Sequence, residues 1–416
     1  VSATRVTHQA LASLASDSVR PGTLEDAIDG VVPAFVVSPS SEAEVLRVIE
    51  IAQHEEMTLA VSGSGSAISL GNPPRRCDLR ISTLRMNSIV EHSPHDLTVT
   101  VQSGVSLLAL NAKLALEGQR VPVDLPYGTA ATVGGIVSAN RTGGFARGFG
   151  SPRDLTLGLD AVDGRGRLLR CGGRVVKNVA GYDLTRLFVG SHGTLGVVTQ
   201  VTLRTVPVPV EARTLALTLR DSAIVERMRT VKEITELPLA ALDFEFAQRS
   251  WRILARIEGD ACEVAYQRAR LTDVCEGNLG KTNEEWTSPI HALSHETFVA
   301  SLGVPPARAV GIAAQLADEL STPDTSLRIA GRLHDGLLRV FGHPSAGADA
   351  TRLAARLDDA AHRYAARMAL ERVSPEIKMT FDVWGPSTEA VHLMAGIKRT
   401  FDPDSRLAPG RFIGRL

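Results

Sequence analysis

Three short segments place glycine and hydroxyl residues where backbone N–H groups can meet a ligand. They are Ser62-Gly63-Ser64-Gly65-Ser66 with Ser69, then Thr132-Val133-Gly134-Gly135 with Asn140, Thr142, Gly143 and Gly144, and Gly190-Ser191-His192-Gly193-Thr194-Leu195-Gly196 after Gly181. Glycine admits close backbone approach, and successive N–H groups in such a turn can form a nest for an anion. Neither familiar phosphate motif is present. A dinucleotide fingerprint beginning at Gly63 and Gly65 would need glycine where Ile68 stands, and a Walker loop would need a Gly-Lys-Ser/Thr ending. Those loops also open a helix, whereas Gly190–Gly196 runs into Val197, Val198, Thr199, Val201 and Thr202, which read as a strand. A plain turn explains any one segment. Three of them within about 135 residues suit an extended ligand lying across several strand ends.

The elements that must carry these segments are legible around them. Ser41 with Glu44 fits a capping box, Val45, Val48, Ile49 and Ala52 form one apolar helical face, and Met57–Val61 reads as the strand that delivers Ser62. Arg153 and Asp154 precede a hairpin expected to turn at Asp163-Gly164. Residues 1–206 hold 23 of the 36 glycines, and Pro207 and Pro209 then break the pattern, so the first domain boundary falls there. Beyond it come strands at 214–220, 239–246, 252–259 and 326–342, interleaved with helices near 221–236, 260–274, 305–320 and 348–371. That order is α+β. The expected division is 1–206, 207–385, and a C-terminal helix and tail at 386–416.

Forty-five Lys and Arg against 46 Asp and Glu give a formal charge of −1, which argues against nucleic acid or anionic lipid as partner. Cys77, Cys171, Cys262 and Cys275 never form a Cys-x-x-Cys pair, so no metal site is expected from them. No apolar run reaches a membrane-spanning length and no signal-peptide pattern opens the chain, so a cytoplasmic protein is expected.

Taken together, Ser62–Gly71, Thr132–Gly135 with Asn140, Arg153-Asp154, and Lys177-Asn178-Val179-Ala180-Gly181-Tyr182-Asp183-Leu184 leading into Gly190–Val198 resemble the FAD-binding domain of the vanillyl-alcohol oxidase/p-cresol methylhydroxylase family. Within that family they look like the glycolate-oxidase and D-lactate-dehydrogenase branch, and most like its glycolate oxidase FAD-binding subunits. The ending "FDPDSRLAPGRF" is similar to that branch's C-terminal signature. The resemblance implies an α+β protein: a two-subdomain PCMH-type FAD-binding domain, an α+β cap, and a C-terminal segment returning to the flavin domain. On that template Ser62, Gly63, Ser64, Gly65 and Ser66 would cradle the pyrophosphate. Pro126, Gly128, Thr132, Gly134, Gly135 and Asn140 would line the adenosine and pyrophosphate side, and Gly193, Thr194, Gly196 and Val198 the flavin's extended body.

Departures from the family sharpen the expectation. Covalent members carry histidine where Ser66 stands, and bicovalent members add a cysteine near Ala131, so noncovalent FAD is expected. His192 occupies a position where relatives often have Glu or Gln, and is either beside the cofactor or, the favoured expectation, a hydrogen-bonded structural histidine; Ala408 replaces a common Asn. Members that oxidise 2-hydroxy acids directly share a histidine- and acid-rich cluster in the cap. This chain offers only His291, His295 and Glu296, His334 with Asp335, and His343. Arg332, His334 and Arg339 are either a carboxylate-binding face or solvent-facing hairpin positions. Lys177 and Tyr182, with His334, are the catalytic candidates.

The resemblance therefore implies an FAD-binding oxidoreductase subunit of a glycolate oxidase-type complex, acting on glycolate or another short 2-hydroxy acid. A sister flavoprotein and an iron–sulfur subunit would be its partners, with any membrane association made through them. The alternatives are a self-sufficient FAD-dependent 2-hydroxy acid or alcohol dehydrogenase and a noncatalytic flavoprotein subunit that uses FAD structurally.

Overall fold

The computed structural model describes residues 11, 18–125, 131–173, 182–220, 228–275, 279–282, 286–291, 296–320, 327–344, 347–386 and 389–416. The helix Glu42–His54 forms because Ser41 accepts the Glu44 N–H while the Glu44 carboxylate reaches back to the Ser40 N–H at 2.7 Å. Its Val45, Val48, Ile49 and Ala52 are buried against Leu59, Leu79 and Ile81. Those residues belong to a four-stranded sheet in the order Val19–Pro21, Phe35–Val37, Leu79–Ser82, Leu59–Ser62. Its last three strands are parallel, so Leu59–Ser62 ends in an open loop beside the crossover.

A second, antiparallel sheet has the order Ile89–Ser93, Thr98–Gln102, Gly196–Arg204, Thr156–Asp163, Leu168–Gly172. The expected hairpin is its last pair, with Val162 opposite Leu168 and Asp163 accepting the Arg165 and Arg167 N–H groups inside the turn. Helices Leu107–Leu114, Val133–Ala139 and Leu184–Phe188 contribute to its apolar core. Val162 and Val197 also pack into the first sheet's core, which makes the two sheets neighbours.

The third sheet is antiparallel with eight strands, ordered Leu279–Thr282, Glu211–Arg220, Ser250–Gly259, Ala241–Ala247, Leu327–Arg332, Leu337–Gly342, Phe298–Gly303, Arg367–Arg372. Successive strand residues face opposite sides. One side carries Leu242, Phe244, Ile253, Ile257, Ile329, Leu338 and Val340 into a core with the helices Ala261–Val274, Ala309–Leu320 and Gly347–Tyr364. The opposite side carries Asp243, Glu245, Arg328, Arg332 and Arg339. A helix over 348–371 is not what the chain adopts. It stops at Tyr364, Ala365 takes φ +50°, and Arg367–Arg372 becomes an edge strand with Met368 and Leu370 buried. Alternation at period two outweighs the helix propensity of its Arg, Met, Ala and Leu residues. The strand Phe298–Gly303 and the short strand Leu279–Thr282 were likewise not foreseen in the sequence.

The tail returns to the first sheet. After the helix Val391–Phe401, Leu407 bridges Leu59 in parallel, with Leu59 N–H donating to Arg406 and Ala408 N–H donating to Leu59. Buried Lys398 fixes this junction. Its Nζ donates to the carbonyl of Thr194 at 2.8 Å, to Asp402 at 2.6 Å and to the carbonyl of Leu407 at 2.6 Å. Asp402, fully buried, also accepts the Arg406 and Leu407 N–H groups. Removing one partner of such a buried pair leaves the other charge without its counterion. Lys398→Met is therefore expected to lower unfolding stability by about 3 kcal/mol or more in urea melts; a change below about 0.5 kcal/mol would contradict the pinning role.

Candidate functional site

A cavity of about 1040 Å³, measured with its open mouth, lies where the two smaller sheets, the helix Val133–Ala139 and the tail meet. Of the residues singled out by sequence, Ser62, Gly63, Ser64, Gly65, Ser66, Thr132, Gly134, Gly135, Gly193, Gly196 and Val198 line it. Pro126, Gly128 and Lys177 lie outside the described residues. Asn140 and Thr194 sit beside it without lining it. Asn140 ends the helix in the left-handed conformation at φ +45° and accepts the Arg153 N–H, and the Thr194 hydroxyl donates to the Ser191 carbonyl. Tyr182 is 96% exposed to solvent.

The loop after Leu59–Ser62 is the part of the wall suited to an anion. The N–H groups of Ser64, Gly65, Ser66 and Ala67 take part in none of the hydrogen bonds among the described residues. Unpaired backbone donors seek an acceptor. Gly65 takes φ +80°, the left-handed turn such a nest requires. A Cβ on Gly63 would stand 1.9 Å from the Thr132 hydroxyl, so the loop and the second glycine segment touch backbone to side chain. Behind the loop, Arg80 donates to the buried Ser62 hydroxyl at 2.9 Å and lies 3.5 Å from Asp26.

The second segment works differently from what its glycines suggest. The Val133 and Gly134 N–H groups donate to the carbonyls of Val105 and Ser103, both at 2.8 Å, and the Gly135 N–H donates to the Thr132 hydroxyl. The helix start is thus already capped, and Gly134 is needed because a Cβ there would come 2.6 Å from that of Ser103. The buried Ser103 hydroxyl on the cavity wall has no hydrogen-bond partner among the described residues. Gly196 is a packing glycine too, since its Cβ would meet the Val162 carbonyl at 2.7 Å.

His192 lines the cavity, held by rings: its centroid lies 4.9 Å from Trp384 and 5.7 Å from Phe412. No hydrogen bond of its imidazole occurs among the described residues, which corrects the expectation of a hydrogen-bonded structural histidine. Burial, then the charges of Arg141 and Arg411, push its pKa down to about 3. Arg411 and Ala408, also on the wall, come from the tail. The tail's return was expected from its ending, but Arg411 itself was not among the candidate site residues, since more than 300 residues separate it from the loop it touches.

The charged side of the large sheet closes over this region. Arg141, on the cavity wall, pairs with buried Glu371, which Arg339 also holds at 3.0 Å. Burial alone would raise the Glu371 carboxyl, but the two arginines bring it down to about 2. Arg332 donates to the Thr142 hydroxyl and the Gly143 carbonyl and pairs with Asp335. Arg332 and Arg339 are therefore buried and committed to protein partners, neither solvent-facing nor open to a carboxylate ligand. Asp124 accepts the Gly144 and Phe145 N–H groups and the Trp286 indole, fixing the same loop. Asp243, bonded by Ser288, is raised to about 7 by burial. His334 lines a separate cleft with Arg147, Leu239 and Glu258, and burial pushes its pKa down to about 4.

A neutral His192 stabilises the folded chain relative to an unfolded one that binds a proton near pH 6.5. That contribution is complete above about pH 6.5 and is lost as pH falls towards 3. Proton NMR of the imidazole C–H resonances should show His192 unprotonated down to about pH 4.5. Titration near its ordinary value would contradict the packing described.

Residues 33–172 match the family described as an FAD binding domain. Glycolate oxidase subunit GlcD of Bacillus subtilis is 26% identical over 425 residues, covering 92% of this chain and 90% of that protein. Glycolate oxidase subunit GlcE of Escherichia coli is 35% identical over 230 residues, covering 55% of this chain and 63% of that protein. A D-2-hydroxyglutarate dehydrogenase of Xanthomonas citri is 26% identical, covering 91% and 89%. Among solved structures, p-cresol methylhydroxylase with substrate bound superposes with a TM-score of 0.76 at 16% identity, covering 98% of this chain and 96% of that one. That likeness speaks for the α+β fold.

Proposed function

We propose that this chain, which belongs to the FAD-linked oxidoreductases, binds FAD noncovalently in the cavity and serves as the flavin-carrying subunit of a glycolate oxidase-type complex. Its substrate class is glycolate or another short 2-hydroxy acid, as the names of the GlcD and GlcE relatives suggest. Residues 1–206 with the tail 386–416 form the flavin domain, and 207–385 the cap.

The observation that carries the cofactor reading is the run of four unpaired N–H groups from Ser64 to Ala67, backed by Arg80 and open to a cavity with apolar walls. This fits a diphosphate joined to a flat ring system. The Ser103 hydroxyl is a further donor awaiting an acceptor. Ser66 and Ala131 on the wall offer neither the histidine nor the cysteine of covalent members. When bound, FAD supplies a two-electron acceptor. The protein's own residues hold it, keep a neutral imidazole beside it and cover it with the cap.

A subunit role is favoured over a self-sufficient enzyme by the lining itself. Among the described residues, the cavity wall has no carboxylate, and its one imidazole, His192, is neutral. A base for the substrate hydroxyl needs a pKa nearer the working pH. His334 opens on another cleft, and Tyr182 faces solvent. A sister flavoprotein would take the hydroxyl proton, and an iron–sulfur subunit the electrons. No described helix is long and apolar enough to cross a membrane, which fits cytoplasmic placement with any membrane contact made through partners.

The purified chain loaded with FAD should release all its flavin on acid precipitation. Its absorption should bleach with glycolate or D-lactate only when partner subunits are present. Bleaching by the isolated chain would favour the self-sufficient reading, and flavin that stays with the precipitate would refute noncovalent binding.

A further inference from the structure

The outward carbonyls of the anion-binding loop are each bound by a buried cation. Arg411 Nη2 donates to the carbonyls of Ile68 and Leu70, both at 2.6 Å, and Lys378 Nζ donates to that of Ser69 between them. Lys378 comes from the cap helix Pro375–Thr380 and Arg411 from the tail. The two share a single carboxylate. Asp29 Oδ1 is 2.7 Å from Lys378 Nζ, while Asp29 Oδ2 is 3.8 Å from Arg411 Nη1. The second distance is too long for a hydrogen bond, and both of those atoms are buried without a hydrogen-bond partner among the described residues.

Two cations against one carboxylate leave one positive charge in excess. Among the described residues neither cation pairs with a second carboxylate: Asp382 accepts from Asn72, the Trp384 N–H and the Gly414 N–H and forms no ion pair with Lys378 or Arg411. Cys77 does not cancel the excess, since burial pushes its thiol up to about 11. A buried surplus charge is costly without a counterion. A staple that only joined tail to loop would need no surplus. Arg411 lines the cavity, on whose wall the unpaired N–H groups of Ser64 to Ala67 also lie.

We infer that Arg411 is a phosphate-positioning residue: the charge that Asp29 leaves over attracts a diphosphate into the Ser64–Ala67 nest, so that cofactor loading and docking of the C-terminal tail are coupled. This rests on the reading that the cavity takes FAD.

The test titrates the full-length apo chain with FAD and with riboflavin, which keeps the ring system and lacks the diphosphate, following flavin fluorescence. Arg411→Met is expected to weaken FAD about tenfold or more and riboflavin by less than about twofold, with Arg411→Lys recovering part of the loss. Equal losses for both flavins, or no loss for FAD, would overturn the inference. Hydrogen exchange on the wild-type chain serves if the variant fails to fold. ADP is expected to slow exchange in residues 403–416 together with 63–70, and protection confined to the loop would overturn the coupling. A wild-type chain that takes up neither flavin contradicts the cofactor reading itself, a different outcome from either of these.

Discussion

Backbone donors and acceptors must be paired, and the loop from Gly63 to Leu70 is where that requirement shapes the rest of the molecule. Its carbonyls at Ile68, Ser69 and Leu70 are satisfied by Arg411 and Lys378, while its N–H groups from Ser64 to Ala67 take part in no hydrogen bond among the described residues. At its start the loop leaves no room for a side chain, because a Cβ on Gly63 would clash with the Thr132 hydroxyl. It cannot advance without breaking its bonds to the cations. A parallel sheet, a cap helix and a tail from the far end of the chain thus converge on eight residues.

The cap is held by a related economy of charge. The side of its sheet that carries Asp243, Arg332 and Arg339 would look like a solvated face, yet it is covered by the segment 141–145. Glu371 between Arg141 and Arg339 gains little net stability from its burial, but removing either arginine would leave it poorly compensated. Such a pair fixes orientation more than it adds stability. Its cost is that arginines suited to a carboxylate substrate are spent on holding the cap, which is why the proposed chemistry leans on a sister chain.

Much of the N-terminal half was legible because its signals are local. Ser41 and Val45–Ala52 specify the helix, Asp163-Gly164 the hairpin, and Gly63, Gly65 and Gly193 mark the cavity wall. Gly134 and Gly196 line the cavity and also permit packing against Ser103 and Val162, a need that looks the same in sequence as ligand approach. Arg411, Lys378 and Asp29 could not be found by spacing, since only the folded chain brings residues 29, 378 and 411 together. The strand Arg367–Arg372 was hidden by helix-forming residues at its end of an amphipathic run. Arg332 and Arg339 were read as facing solvent or substrate because an alternating strand does not reveal what covers its polar side.

The central claim is that the cavity is a noncovalent FAD site. Calorimetric titration of the apo chain with FAD tests it most directly. One saturable site per chain is the result this structure predicts, and the absence of saturable uptake would contradict it.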